Sequence, residues 1–396
     1  MANIIQKNIH WLYTKVRSHL YKRDKDLWVF GEWFGNRCCD NSFSFANYLA
    51  KNYPHLQLVW IAKKSADTTQ LAESIRIVEM DTPEAAEVLC HAGVAVMNQG
   101  TNDFTPEISF LCDGALMVNL WHGVPWKKIA MDMHSDYGFA RRAYMAYLQK
   151  LQRADVYLAL SDGFARILET AFYAPKKGII LAGYPRNAIF YDPAAVSAAR
   201  EKVLSLLNVE NSSGKPLKLI AYMPTFRDNT EDVFSFEKLA GNSRLQEILE
   251  KHNAIIIQKA HFVSYQRNAE ANQVKNSRIL ALNDIMAQEL LAAADMLITD
   301  YSSCFFDYLV LDRPIIHYIY DYAYYAGEDR GVYYKAEDVV CGDAPETEEQ
   351  LLAAMEANLA DPGLRKELRK LRSQEHMTYE SADSCEKIYR EILLRL

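Results

Sequence analysis

The feature that most constrains this chain is the repeated alternation of short apolar segments with segments of helical periodicity. Seven apolar segments precede residue 190 and five follow residue 215. In order, they are LWVFGEWFGN, LQLVWIAKK, IRIVEM, VAVMNQG, ALMVNLWHG, VYLALSDG and GIILAGYP, then LKLIAYMP, AIIIQKAH, SRILAL, MLITDYSS and PIIHYIY. Strands that are apolar on both faces and alternate with helices are typical of a parallel sheet covered on both sides. The sequence therefore predicts an α/β fold with two such sheets.

The two series are separated by a polar segment, NVENSSGKP, whose composition favours a linker. A chain of 396 residues also exceeds one ordinary core and suits two domains of roughly 150 to 200 residues. We predict a helix at 1–26, a doubly wound domain at 27–190, a linker at 191–215, a second doubly wound domain at 216–360 and C-terminal helices at 361–396. A ligand is expected between the domains, outside the carboxyl ends of their strands.

Composition excludes several classes of protein. A formal net charge of −7 argues against nucleic-acid binding, because phosphate backbones select for basic surfaces. The seven cysteines show no C-x-x-C spacing and indicate a reducing compartment rather than a disulfide framework. No apolar run approaches the roughly 20 residues of a membrane-spanning helix, and no secretion signal is recognisable. We therefore expect the protein to stay inside the cell.

The N-terminal segment has the pattern of a basic amphipathic helix. Ile5, Ile9, Leu12, Val16 and Leu20 recur every three or four residues, and the lysines and arginines lie mostly off that stripe. Such a helix can rest in the headgroup layer of an anionic membrane. The alternative is a helix that packs on the body of the protein while its charges face water.

Two histidines end apolar strands, one in each half of the chain. His122 precedes Gly123, which permits unusual backbone angles, and Pro125, which fixes its own φ. Catalytic groups collect at such strand-end loops, and the alternative is a histidine bonded to a neighbouring strand. In AIIIQKAHF, Lys259 and His261 share one face at strand spacing, which suits contact with phosphate. A lysine at a solvated strand end is the alternative there.

A third signal is the segment MLITDYSSCFFDYLVLDRPIIHY. A buried strand stops at Asp300, Ser302 and Ser303 stand where a helix begins, and Asp307 lies one turn further on. Hydroxyl groups, free backbone N–H groups and the positive end of a helix dipole together favour a pyrophosphate site that needs no metal. The alternative is that one of these residues merely caps the helix.

Three further segments carry basic side chains. GYPRN places Arg186 beside the predicted linker, and YMPTFRD places Pro224, Thr225 and Arg227 after a strand of the second half. Either arginine suits phosphate contact, or an ion pair between domains. In the segment 126–153, which follows His122, basic residues alternate with aromatic ones, which suits guidance of a phosphate-rich, lipid-linked acceptor. The alternative is an ordinary basic helix face. The residues of that segment on which the hypothesis rests are Trp126, Lys127, Lys128, Arg141 and Arg142.

Taken together, LWHGVPWK, GYPRN, YMPTFRD, the strand ending in His261 and ITDYSSCFFDYLVLDRPIIHY resemble the CDP-glycerol glycerophosphotransferase family, which builds wall teichoic acids and related capsule polymers. The resemblance covers about residues 28–345. It implies a GT-B fold of two Rossmann-like domains, the N-terminal one binding the acceptor and the C-terminal one the CDP donor. It also implies a bacterial peripheral membrane protein at the cytoplasmic face of the cell membrane.

The resemblance implies roles for individual residues. His122 matches the catalytic histidine of the family's H-G-x-P motif, and His261 matches a second essential histidine near the donor phosphates. The expected donor-binding set is Gly123, Pro125, Arg186, Pro224, Thr225, Lys259, Asp300, Ser302, Ser303 and Asp307. There are two departures: Ala188 stands where the family often has Asp, and Phe262 replaces the proline that usually follows the second histidine.

The expected reaction is transfer of glycerol phosphate, or a related polyol phosphate, from CDP-glycerol to a lipid-linked saccharide or polyol-phosphate acceptor, with release of CMP. CDP-ribitol is the alternative donor. A GT-B glycosyltransferase that uses a nucleotide sugar is the alternative enzyme, and a non-catalytic membrane-bound assembly factor is a third hypothesis. No metal, no cofactor and no nucleic-acid partner is expected.

Overall fold

The chain forms two compact units. The structure, a computed structural model, describes residues 2–107, 109–134, 137–209, 214–225, 234–259, 278–324 and 331–396. Unit 1 comprises Met1–His122, Ile129–Ala188 and Thr378–Leu396, and unit 2 comprises Gly123–Lys128 and Ile189–Met377. Each unit is built on its own parallel sheet.

Unit 1 contains a sheet of seven strands in which all neighbours run parallel. The strands are β1 (Asp24–Phe30), β2 (Gln57–Ala62), β3 (Arg76–Glu79), β4 (Ala92–Met97), β5 (Leu116–Asn119), β6 (Val156–Ala159) and β7 (Ile179–Leu181). Their spatial order is β3-β2-β1-β4-β5-β6-β7, so the direction of winding reverses between β1 and β4. Ligands of doubly wound sheets bind outside the carboxyl ends of the strands at such a reversal.

Unit 2 repeats this plan with five parallel strands. They are β8 (Lys218–Tyr222), β9 (Ala254–Gln258), β10 (Ile279–Ala281), β11 (Met296–Thr299) and β12 (Ile315–His317). The spatial order β10-β9-β8-β11-β12 reverses between β8 and β11. The reversal point of unit 2 therefore lies where β8 and β11 end, at Met223 and Asp300.

Helices connect the strands of both units. The described helices are α1 (Ala2–Ser18), α2 (Asn41–Asn52), α3 (Pro83–His91), α4 (Phe139–Leu151), α5 (Asp162–Ala171), α6 (Pro193–Leu207), α7 (Ser243–Lys251), α8 (Ala287–Ala293), α9 (Cys304–Tyr308), α10 (Tyr322–Tyr324), α11 (Ala336–Val339), α12 (Glu348–Ala360), α13 (Lys366–His376) and α14 (Ser384–Leu393). By residue range, α1 to α5 and α14 belong to unit 1 and the others to unit 2.

Local sequence explains where these elements begin and why they are buried. Asp40, Thr82 and Asp192 cap α2, α3 and α6 by accepting backbone N–H groups with their side chains. Proline occupies the first turn of α3 and α6, where no backbone donor is needed. The central strands are apolar on both faces, as burial under helices on both sides requires. The predicted α/β class, with twelve parallel strands at the predicted segments, is confirmed.

The unit boundaries differ from the predicted domains in four places. The predicted linker at 191–215 is largely α6, which packs on α8 within unit 2 and pairs Arg200 with Asp295. The predicted C-terminal helices at 361–396 are divided, α13 going to unit 2 and α14 to unit 1. The segment Gly123–Lys128 belongs to unit 2 although it lies inside the predicted first domain. Finally, α1 ends at Ser18 and β1 starts at Asp24, inside the predicted helix at 1–26.

Candidate active site

The ends of β8 and β11 in unit 2 are tied together by side chains. Asp300 accepts hydrogen bonds from the backbone N–H of Thr225 at 2.8 Å and from its hydroxyl at 2.6 Å. Thr299 donates its own hydroxyl to Met223 O at 2.7 Å. Asp300 and Thr225, both predicted donor-binding residues, therefore lie together at the reversal point of the sheet, where ligands of this fold class bind.

The turn that follows Asp300 leads into α9, which has only five residues. Ser303 occupies the position before the helix, and among the described residues its hydroxyl makes no capping hydrogen bond. Asp307 is buried and accepts a hydrogen bond from Gln288 Nε2 at 3.2 Å. The capping alternative therefore does not account for Ser303, and a side chain of α8 engages Asp307.

His317, at the end of β12, contacts the same turn. Its Nδ1 lies 3.3 Å from Asp300 O, and its Nε2 lies 3.2 Å from Cys341 Sγ. Complete burial lowers the pKa of His317 to about 4, although the carbonyl of Asp300 opposes the change. His317 is therefore a neutral imidazole near pH 7, and it is a site neighbour that the sequence analysis did not identify.

The remaining predicted donor residues of unit 2 are placed as follows. Lys259 follows β9 directly, and its ammonium donates to Asn283 O at 2.6 Å, so this lysine is not simply a solvated strand end. Pro224 lies between Met223 and Thr225, after β8. His261 and Arg227 lie outside the described residues.

In unit 1, His122 follows β5 and is flanked by two indole rings. The ring of Trp121 lies 4.0 Å from the imidazole at an angle of 33°, and the ring of Trp33 lies 5.8 Å away. Both tryptophans have positive φ, at 54° for Trp121 and 48° for Trp33. Bulky residues rarely adopt this conformation, and such strain clusters at functional sites.

The backbone around His122 is held by polar side chains. Asn41 Nδ2 donates to Trp121 O at 2.8 Å, and Trp121 N donates to Asn119 Oδ1 at 2.8 Å. Arg186 Nη1 donates to His122 O at 2.9 Å. His122 is half-buried at the end of a fixed turn, which is an arrangement that suits a catalytic side chain.

Arg186 also forms a buried ion pair. The same Nη1 donates to Asp40 Oδ1 at 2.7 Å, and both side chains are at most 7 % exposed. Both residues belong to unit 1, so this ion pair lies within one unit. Arg186 holds the His122 turn, and its role as a donor-binding residue stays a prediction.

The reversal point of unit 1 carries two buried carboxyl groups that the sequence analysis missed. Glu32 follows β1 and accepts the backbone N–H groups of Cys39, Asp40 and Phe43. Burial, and then the neighbouring Asp40 carboxylate, raise the pKa of Glu32 well above its ordinary value. Asp103 accepts the backbone N–H groups of residues 98, 99 and 34, and burial raises its pKa to about 6.

A signal for these residues was present in the sequence. Glu32 and Asn98 directly follow the apolar cores of β1 and β4, and Asp40 precedes a helix at cap spacing. In the N-terminal half of the chain, the sequence analysis considered the histidine at a strand end but not the acidic and amide residues. Within the described residues, no group of three or more His, Cys, Asp or Glu side chains is arranged to hold a metal ion.

Five residues were predicted to face the acceptor or the membrane, and they differ in burial and in contacts. Trp126 is 1 % exposed, and its indole N–H donates to Tyr334 O at 2.9 Å, so for this residue the expectation of surface contact is corrected. Lys127 pairs with Val332 in an antiparallel bridge, and Lys128 N donates to Gly331 O. Arg141 and Arg142 are exposed on α4, which has no buried residue.

Comparison with known proteins decides the family. The model of the family described as CDP-glycerol:poly(glycerophosphate) glycerophosphotransferase matches residues 12–394, which is nearly the whole chain. The chain belongs to this family. It is therefore a glycerophosphotransferase-type enzyme, as the resemblance of its motifs implies.

Individual members of the family are similar over most of their length. The teichoic acid glycerol-phosphate transferase of Staphylococcus aureus (strain NCTC 8325 / PS 47) is 26% identical over 367 residues, covering 90% of each chain. A teichoic acid poly(glycerol phosphate) polymerase of Bacillus spizizenii is 27% identical and covers 85% of this chain and 84% of its own. The solved structure of the wall teichoic acid polymerase TagF has a TM-score of 0.78 at 20% identity, covering 100% of this chain and 95% of that one. The last comparison shows that the fold is shared.

Proposed function

We propose that this enzyme transfers glycerol phosphate from CDP-glycerol to a lipid-linked acceptor during teichoic acid or capsule polymer synthesis, releasing CMP. The observation that carries the proposal is family membership across residues 12–394 combined with the side chains gathered at the end of β11. Two relatives are named as a teichoic acid glycerol-phosphate transferase and a teichoic acid ribitol-phosphate polymerase. CDP-ribitol is accordingly the second donor to test.

His122 is proposed as the general base. An acceptor hydroxyl attacks the glycerol-bearing phosphorus, and the bond from that phosphorus to the CMP oxygen breaks. His122 takes the hydroxyl proton, because imidazole is the side chain whose ordinary pKa lies nearest neutrality. The stacking of Trp121 and the bond from Arg186 to His122 O support this role, since a base must be held in place to be effective.

The donor diphosphate is proposed to bind at the turn of unit 2 that contains Ser302 and Ser303. Backbone N–H groups and hydroxyls at this turn, together with the ammonium group of Lys259, can donate hydrogen bonds that stabilise the negative charge developing on CMP. His261 is proposed to assist them, on the strength of the family motif alone. No step of this chemistry requires a redox cofactor.

The test of this function is a donor screen on the full chain. CDP-glycerol, CDP-ribitol and nucleotide sugars are each incubated with a lipid-linked acceptor, and free nucleotide and product mass are measured. We expect CMP and a product heavier by one or more glycerol phosphate units. Release of nucleotide only from a nucleotide sugar would establish the glycosyltransferase alternative instead.

Replacement of the proposed base gives the second arm. His122→Ala should reduce turnover on the order of a hundredfold or more. The matched control is His91→Ala. His91 lies in unit 1 at the end of α3, and the hydrogen-bond partner described for its ring is the backbone carbonyl of Lys22. A folded His122→Ala protein with nearly normal turnover excludes His122 as the base.

We further propose that unit 1 attaches the enzyme to the membrane surface. Of the apolar side chains of α1, Ile9, Leu12 and Val16 are 63%, 66% and 52% exposed, whereas Thr14 and Ser18 are buried. Lys15 of α1 and Leu151 of α4 line the same small cavity, so these helices are neighbours. No helix in the described part of the chain has the length and apolar character needed to span a membrane.

Helix α4 extends the proposed membrane surface. Phe139, Tyr144 and Tyr147 are exposed on it, next to Arg141 and Arg142. Apolar and aromatic side chains beside basic ones are suited to a layer of anionic headgroups, in which each nearby cation contributes about 1 kcal/mol. These contacts would keep the site close to a lipid-linked acceptor.

Vesicle sedimentation tests the attachment. The double variant Leu12→Ser, Val16→Ser should bind phosphatidylglycerol vesicles at least about tenfold more weakly, because two apolar side chains no longer leave water. The control is Ile77→Ser, since Ile77 is 50% exposed on the edge strand β3. Charge reversal at Arg141 and Arg142 should weaken vesicle binding and acceptor affinity. Unchanged binding by all these variants excludes the proposed surface.

A further inference from the structure

Trp126 is an almost completely buried tryptophan of unit 2. It lies four positions after His122, and the segment Gly123–Lys128 that carries it belongs to unit 2. The segment is fixed by its backbone: Tyr333 N donates to Trp126 O at 2.8 Å and Lys128 N donates to Gly331 O at 3.0 Å. The indole N–H is satisfied by Tyr334 O. The described hydrogen-bond partners of Trp126 are therefore backbone groups of residues 333 and 334.

The indole ring packs against both sides of the turn that contains Ser302 and Ser303. Its centroid lies 5.3 Å from that of Tyr301, at an interplanar angle of 67°, and 6.2 Å from that of Phe305, at 88°. Tyr301 and Phe305 are at most 2 % exposed. Tyr301 directly precedes the serine pair, and Phe305 follows it after Cys304. Trp126 therefore contacts residues on both sides of the pair.

Two other rings in the described part of the chain lie near Trp126. His317, whose imidazole contacts Asp300 O, lies 6.4 Å away, and Tyr322 lies 6.3 Å away. Tyr301 is itself held by its hydroxyl, which donates to Asp321 Oδ1 at 2.8 Å. The edge-to-face contacts of Trp126 with Tyr301, Phe305 and His317 fix the orientation of these rings as well as adding to burial.

We propose that Trp126 is a positioning residue of the donor site, which holds Tyr301 and Phe305 apart at the distance that aims Ser302 and Ser303 at the diphosphate of the CDP-alcohol. The inference rests on the proposed function, because the turn must be the one that binds the donor. Trp126 touches no substrate in this scheme. It acts through the turn, so its loss affects donor binding and leaves the acceptor unaffected.

The test compares two buried tryptophans. Trp28 in unit 1 is the matched control, because it is fully buried and its indole N–H donates to Lys25 O at 3.0 Å, much as Trp126 donates to Tyr334 O. Trp126→Leu and Trp28→Leu are prepared in the full chain. Affinity for CDP-glycerol without acceptor is measured by calorimetry, and KM is measured separately for donor and acceptor. Thermal unfolding reports the loss of stability in each variant.

We expect Trp126→Leu to weaken CDP-glycerol binding about tenfold and to raise the KM for the donor by the same factor. The KM for the acceptor should be unchanged. Trp28→Leu should leave both KM values unchanged. Trp126→Phe keeps an aromatic ring and should recover most of the affinity. If Trp126→Leu does not fold, Trp126→Met, which also lacks a ring, is the test variant. Donor affinity equal to that of the wild type in the folded ring-less variant overturns the inference, as does an equal loss in Trp28→Leu.

Failure of the proposed function gives a different result. If the wild-type protein binds neither CDP-glycerol nor CDP-ribitol, the donor assignment is wrong before any variant is compared. If the wild type binds a CDP-alcohol and the Trp126 variants bind it equally well, the donor assignment stands and only the positioning role fails.

Discussion

The buried pair of Asp40 and Arg186 gives the sharpest prediction for stability. We consider Arg186→Met, which keeps the length and apolar volume of the side chain but removes its charge. The Asp40 carboxylate then stays buried, with Trp33 Nε1 and Asn41 N as its described donors. His122 O also loses the hydrogen bond that Arg186 donates.

The expected cost follows from burial. Removing one partner of a buried ion pair typically costs about 3 to 5 kcal/mol, because an uncompensated charge is left in the interior. Both side chains here are at most 7 % exposed, so solvent screening does not reduce that figure much. By contrast, the partly exposed pair of Arg200 and Asp295 in unit 2 should contribute no more than about 1 kcal/mol.

A double-mutant cycle measures this coupling. The free energy of unfolding in urea is determined for the wild type, Arg186→Met, Asp40→Asn and the double variant. The double variant should lose at least about 1 kcal/mol less than the sum of the single losses, since the neutral amide introduced by Asp40→Asn no longer needs a cation. Strictly additive losses, or a cost of Arg186→Met below about 1 kcal/mol, would refute the reasoning.

Two further predictions concern other parts of the chain. The pKa of His317 is lowered to about 4 in the folded protein, so between pH 6.5 and 4 the unfolded chain binds a proton that the folded chain does not. The free energy of unfolding should therefore fall by about 3 kcal/mol as the pH decreases from 6.5 to 4. Urea titrations should show this loss in the wild type but not in His317→Asn. Gly183→Ala should destabilise the fold by about 1 to 3 kcal/mol, because the added Cβ would lie 2.4 Å from Glu380 Oε1 and 2.5 Å from Ser384 Oγ, whereas Gly138→Ala meets no atom within 4 Å and should leave the melting temperature unchanged.

The sequence predicted the strands well because their signal is local. Apolar runs between polar turns define β1 to β12 without reference to tertiary contacts, and the parallel arrangement follows from the intervening helices. The position of Asp300 directly after β11 was also predicted, since it ends an apolar run, and the binding roles of Asp300 and Ser302 stay predictions. These features depend on chain neighbours, which a single sequence displays.

The sequence did not predict contacts between distant segments. Trp126 looked like an interfacial aromatic because it adjoins two lysines, yet pairing with residues 331–334 buries it. The pairing of Arg186 with Asp40, a residue 146 positions away, was not predicted either. The carboxyl group of Glu32 accepts backbone N–H groups from a loop that folds back on it. Nothing in the periodicity of a segment reveals which remote partner will satisfy its polar groups.

The division of unit 1 into three stretches of chain has a consequence for biosynthesis. Tyr379 N donates to Leu160 O, and Glu380 accepts the backbone N–H of Tyr184, so the segment Thr378–Leu396 completes a unit whose sheet was translated long before. While unit 2 is being translated, the apolar surface of unit 1 that α14 later covers stays exposed to solvent. Folding of unit 1 on the ribosome is therefore completed late, and a fragment ending at residue 188 should depend on chaperones or aggregate.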